Sequence, residues 1–168
     1  MNDDIINRVT NSKLVTIDLE DYYPKGKRVL FDIKDWLFEG FVLRERDFRA
    51  HISVFDWSKY QDVYVALTCS TDAIIPGWAY MLLSIQLQPF VKKVIVGDLD
   101  SLETSIYQDI INTLDVSQFY DKPIIIKGCS NKPVPQNAYI MISNKLKPLV
   151  KSIMYGEACS SVPLFKKK

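Results

Sequence analysis

The residues of this 168-residue chain with the richest chemistry are three cysteines and one histidine. Cys69, Cys129 and Cys159 are each followed by serine, in Cys-Ser-Thr-Asp, Cys-Ser-Asn-Lys-Pro and Cys-Ser-Ser-Val-Pro. Thiolates are nucleophiles and soft metal ligands. Together with His51, the three thiols make up a Cys3His set suited to tetrahedral zinc. Asp72 is the next candidate ligand, and it is equally placed to cap the helix that follows it. The alternative chemistry is covalent. Cys69 then acts as a nucleophile that Cys129 or Cys159 resolves, as in thiol redox.

Each expectation has a plainer rival. A free cysteine packs readily as a small hydrophobe, and His51 sits between Ala50 and Ile52 inside a helical pattern. Zinc ribbons carry paired C-x-x-C, which this chain lacks. No Gly-rich phosphate loop is present either: the turn "VGDLDS" has neither G-x-G-x-x-G nor a P-loop, and Asp98 and Asp100 within it suit helix capping. No reaction or substrate is assigned on these residues. Trp36, Trp57, Trp78, Tyr80 and Phe90 read as core.

Charge is unevenly spread beneath a net value of +1. Residues 121–168 hold nine lysines and two acids, so two of the three cysteines lie in a basic segment. A lysine-rich docking surface for an acidic partner is the third functional expectation. That segment contains no arginine for bidentate base contacts, which argues against nucleic acid. No apolar run reaches the ~18 residues of a membrane span, and the polar, acidic "MNDDIINRVTNSK" is unlike a signal peptide. A cytoplasmic protein with reduced thiols is expected. The sequence does not indicate an oligomeric state.

The elements that must position these groups follow from periodicity. "KLVTIDLEDYY" alternates as an edge strand. "FDIKDWLFEG" is a short helix capped by Asp32, and "RERDFRAHISVF" is a helix burying Phe48, Ile52 and Phe55. "DVYVALTC", "VKKVIVG" and "KPIIIKGC" read as strands separated by the helices "GWAYMLLSIQLQPF" and "SLETSIYQDIINTL", the second with Ser101 as N-cap and Ile106, Ile110 and Leu114 as its stripe. "NAYIMIS" is expected to add a strand, and "NKLKPLVKSIMYG" a closing helix with Pro148 in its first turn. No internal repeat is evident beyond the Cys-Ser echo.

The expected fold is therefore a single α/β domain. It has a small, mainly parallel βαβαβ core over residues 62–168 and an N-terminal α+β elaboration over residues 1–61. Strand order puts Cys69 and Cys129 at C-terminal strand ends, where open α/β sheets bind ligands.

The segments "VALTCSTDAIIPGWAYMLL", "IIIKGCS" and "LVKSIMYGEACSSVPLFKK" resemble a bacterial family catalogued as domain of unknown function 2480, from about Leu30 to the C-terminus. Genes of that family often lie beside those of the SUF iron–sulfur assembly system. The resemblance thus implies a non-catalytic accessory role with iron–sulfur assembly proteins as partners, the three cysteines holding zinc, iron or an iron–sulfur cluster, although three thiolates fall one short of the usual cluster set. It equally implies persulfide acceptance as the form the covalent chemistry would take.

Overall fold

The computed structural model describes residues 14–128, 131–157 and 160–168. Its secondary structure is mixed α/β with mostly parallel strands, as expected. The strands divide between two sheets. In chain order they are β1 (Val15–Ile17), β2 (Arg28–Asp32), β3 (Tyr64–Thr68), β4 (Lys93–Val96), β5 (Pro123–Ile126), β6 (Ser152–Glu157) and β7 (Ser160–Lys166). The helices are α1 (Glu45–Val54), α2 (Gly77–Leu87), α3 (Leu99–Thr113) and α4 (Gln136–Leu146). One sheet has the order β1-β5-β6-β7 and the other β2-β3-β4. The chain correspondingly clusters as two compact units, one of Pro24–Ile106 and one of the residues up to Tyr23 with Tyr107–Lys168.

The central unit is a parallel β2-α1-β3-α2-β4 arrangement. Phe31, Val65 and Leu67 alternate along their strands onto one face, as a pleated strand requires. There they share a core with Phe48 and Ile52 of α1 and Ala79, Leu83 and Leu87 of α2. The i, i+4, i+8 spacing of the last three puts them on one stripe of the helix.

The outer unit repeats this plan. Asp62 and Asp121 both adopt positive φ just before a central strand, and they are 59 positions apart (121 − 62). The same offset relates the core pairs Phe48 and Tyr107, Ile52 and Ile111, Val65 and Ile124, Ala79 and Ala138, Leu83 and Ile142, and Leu87 and Leu146. It also relates Pro76 and Pro135, each the residue before its helix, with φ of −68° and −70°. Asp56 and Asp115 likewise each accept a hydrogen bond from the N–H of a serine two residues on. The chain is thus an internal duplication, which the sequence was expected to lack. The first strand of the outer unit, β1, precedes the whole central unit in the chain. The C-terminal half of α3 plays the part of α1.

Several expected elements change accordingly. "NAYIMIS" is not a strand but the body of α4, matching α2. "NKLKPLVKSIMYG" is not a helix: Pro148 follows the end of α4, where it cannot continue the helix, and the chain then turns into β6. The N-cap of α3 is Asp98, whose carboxylate accepts the Ser101 N–H at 2.7 Å; Ser101 itself lies in the first turn. Its buried stripe runs through Leu102, Ile106, Tyr107 and Ile111, with Ile110 half-buried. The run from Arg28 is a strand, β2, followed by a 3-10 turn at Lys34–Trp36 whose N-cap is Ile33 and not Asp32; the Asp32 carboxylate lies one residue earlier and accepts the Lys34 N–H at 3.0 Å.

Candidate functional site

In the central unit, the C-terminal ends of β2 and β3 bring together the groups most able to do chemistry. Asp32 closes β2 opposite Thr68. The chain then carries Cys69 and Ser70 past the Asp32 carboxylate, which accepts the Ser70 N–H at 3.1 Å. Burial alone would raise the Asp32 carboxyl. The Ser70 hydroxyl and the Lys34 and Ser70 N–H groups outweigh it and hold the group below the ordinary aspartate value. The Cys69 thiol is free and half-buried, with Sγ 3.3 Å from the Thr71 hydroxyl. Tyr80, on the first turn of α2, faces both acids. Its phenol is pushed above the usual tyrosine value by burial first, then by negative charge on Cys69 and Asp32.

The other expected ligands are placed differently. His51 is exposed on α1. Its ring stacks on Trp36 at 5.5 Å, and Nδ1 lies 2.9 Å from the Asp47 carbonyl. Asp72 is exposed and does not cap α2, which starts five residues later with Pro76 as its N-cap and no side-chain cap. Among the described residues no three of His, Cys, Asp and Glu gather as metal ligands, so these residues alone do not make a metal centre. Cys129 and Cys159 lie outside the described residues.

Beyond Tyr80 the site opens into a groove of about 550 Å³ between α2 and β4. Leu67, Met81, Ile85, Val94 and Val96 make it apolar, with Ser84 on one wall. Met81, Ile85 and Val96 are 67%, 61% and 56% exposed, which is unusual for three adjoining large apolar side chains. No charged residue occurs in α2, "GWAYMLLSIQL".

The outer unit contains the counterpart groove. Ile126, Tyr139, Ile140, Ser143, Asn144 and Tyr155 line it at the 59-residue offset, but an extra residue enters, Leu164 of β7, and the volume falls to about 310 Å³. There β7 pairs antiparallel with the outer edge of β6. In the central unit β4 ends the sheet, and no described strand pairs with its outer edge. The polar positions differ as well: Asn144 and Asn137 of α4 stand where α2 has Ile85 and Trp78. Sequence periodicity gave no hint of this groove. Aligning "WAYMLLSIQLQP" with "NAYIMISNKLKP" would have exposed the duplication and, with it, the difference.

Neither a curated protein nor a solved structure matches the chain. A family model does, over residues 3–167, and the chain accordingly belongs to the family described as protein of unknown function (DUF2480).

Proposed function

We propose that the chain is a non-catalytic binding protein whose working surface is the α2–β4 groove of the central unit. One observation carries this reading. The same groove is built twice, and the copy with an uncovered strand edge carries Ile85 and Val96 where its covered twin has Asn144 and Tyr155. Leaving large apolar side chains in water forgoes roughly 25 cal/mol per Å² of buried area. A face that keeps Ile85 where its twin has asparagine is suited to being covered. The test is binding of an apolar fluorophore such as anilinonaphthalene sulfonate to very dilute protein. Wild type should bind it saturably, and the folded double variant Ile85→Asn, Val96→Lys should not. Equal binding by both would sink the reading.

A second reading is favoured by the Cys69 neighbourhood. A free thiol beside a phenol and a carboxylate at a strand end suits the expected thiol or metal role, with an accessory part in iron–sulfur assembly as its setting. Anaerobic purification of wild type and of Cys69→Ser, Cys129→Ser and Cys159→Ser, with elemental analysis, tests it. Zinc or iron that stays in every variant would rule the cysteines out as its ligands.

A further inference from the structure

Resting on the groove as the working surface, we propose that its occupant is a second copy of this chain, with β4 docked antiparallel on β4 across a twofold axis. The duplication shows which geometry completes this half-fold. At the matching edge of the outer unit the covering element is an antiparallel strand, β7, which sends Leu164 into the groove. A twofold axis perpendicular to a sheet also relates edge strands antiparallel, so two copies of β4 reproduce that arrangement with one patch serving both sides.

Exposed edge strands are commonly blunted by a charge or proline at mid-strand, whereas β4 is apolar after its first residue, Lys93-Val94-Ile95-Val96. At the end of β4 the Gly97 N–H donates to the Leu67 carbonyl on the β3 side. By strand alternation Lys93 and Ile95 also face β3, and the N–H and C=O groups of Val94 and Val96 point to the open side.

Charge completes the match. The stretch "KKVIVGDLD", Lys92 to Asp100, is basic at one end and acidic at the other. Paired antiparallel about Ile95, it sets Lys92 of each copy opposite Asp98 of the other. All three of Lys92, Asp98 and Asp100 are exposed. Lys92 Nζ meets the Lys25 carbonyl at 2.9 Å and the Tyr64 ring, neither of them a countercharge. Asp98 also caps α3, accepting from the Ser101 N–H and hydroxyl, and its exposed carboxylate can take an ion pair besides. Such complementarity specifies register and orientation.

Sedimentation of the full chain across a wide concentration range tests the proposal. Wild type should run at twice the 19.4 kDa chain mass. The double variant Ile85→Asn, Val96→Lys should run at the single-chain mass with an unchanged circular dichroism spectrum. Lys92→Glu, a surface change that does not threaten folding, should weaken the dimer about tenfold by setting like charges together. Added salt should restore part of that loss. A wild-type chain that stays monomeric at every concentration overturns the proposal. If the monomer still binds the fluorophore through Ile85, the groove stands as a docking surface for a different strand. If it binds none, both readings fall. A dimer unaffected by all three substitutions forms elsewhere and also overturns the proposal.

Discussion

Lys127 Nζ lies 2.7 Å from Asp18 Oδ2, an ion pair at the end of β1. Its counterpart in the central unit is absent, because Asp32 faces Thr68 there. Burial would raise the Asp18 carboxyl. The Lys127 hydrogen bond, the Glu20 N–H and the nearby ammonium charges prevail and hold it below its ordinary value. Lys127 is raised in turn, first by its hydrogen bond to Asp18 and then by that carboxylate's charge. The carboxylate's contribution is full above the unfolded aspartate value of ~3.9 and is lost as pH falls through the lowered folded value. The lysine's contribution is full below ~10.4 and is lost as pH rises through the raised folded value. Lys127→Thr, which copies the central unit, should therefore lower the melting temperature at neutral pH and flatten both the acid and alkaline limbs. Thermal melts from acid to alkaline pH read this directly. Parallel curves for variant and wild type would show that the pair has no energetic weight.

Asp32, whose ion pair with Lys34 is longer at 3.9 Å, bears instead on Tyr80. The phenol of Tyr80 is raised by burial first and by Cys69 and Asp32 next. Asp32→Asn and Cys69→Ser should each move its ionisation back toward the usual tyrosine value, and neither should abolish the shift, because burial remains. The chain has nine tyrosines, so the measurement is an ultraviolet difference titration against Tyr80→Phe. A Tyr80 transition unmoved by both substitutions would place neither charge near the ring.

Much of this was legible in the residues, and the failures share a physical origin. The runs "YVALT" and "PIII" are each an interior strand of its own sheet, paired in parallel on both sides, and continuous apolarity reports that burial. In "NAYIMIS", isoleucine and tyrosine favour a strand locally, but the i, i+4, i+8 spacing of Ala138, Ile142 and Leu146 against the outer core wins. β7 escaped notice because Pro163 argues against a strand. It sits on a sheet-edge strand beside a register shift at Ile153 and Met154, where proline is tolerated. The Cys-Ser echo is separate from the duplication. At the 59-residue offset Cys69 matches Gly128 and not Cys129, so the shared dipeptide is out of step with the duplication that surrounds it.

The duplication also makes a stability prediction from one paired position. Phe48 and Tyr107 are both fully buried, and the Tyr107 hydroxyl donates to the Leu19 carbonyl at 2.9 Å. Tyr107→Phe leaves that buried carbonyl without its donor, at a cost of about 1–3 kcal/mol. Phe48→Tyr forces a hydroxyl into an apolar core and should cost a similar ~1–3 kcal/mol, because a buried hydroxyl without a partner is not compensated. Denaturant titrations of the two single variants give both numbers. If Phe48→Tyr is neutral, an acceptor lies within reach in the central core and the two positions are closer in environment than their packing implies.

The most informative variant removes β7. In the outer unit this strand pairs with β6 from Ser152 opposite Lys166 to Glu157 opposite Ser160. Phe165 packs against the outer core, while Val162 and Leu164 remain 60% and 55% exposed. A chain ending at Glu157 thus loses some packing, but chiefly it bares a second edge flanked by a second groove. Two open edges on one molecule permit open-ended association where one permits only a closed pair. The truncated chain should therefore run past the dimer into larger species that grow with concentration. Adding Ile85→Asn and Val96→Lys, which disable the β4 edge, should bring it back to a pair joined through β6. Sedimentation of the two truncated chains, with circular dichroism to confirm that each is folded, gives the answer. A folded truncated chain no larger than wild type would mean that β7 guards nothing, and that the contrast between the two grooves must have another cause.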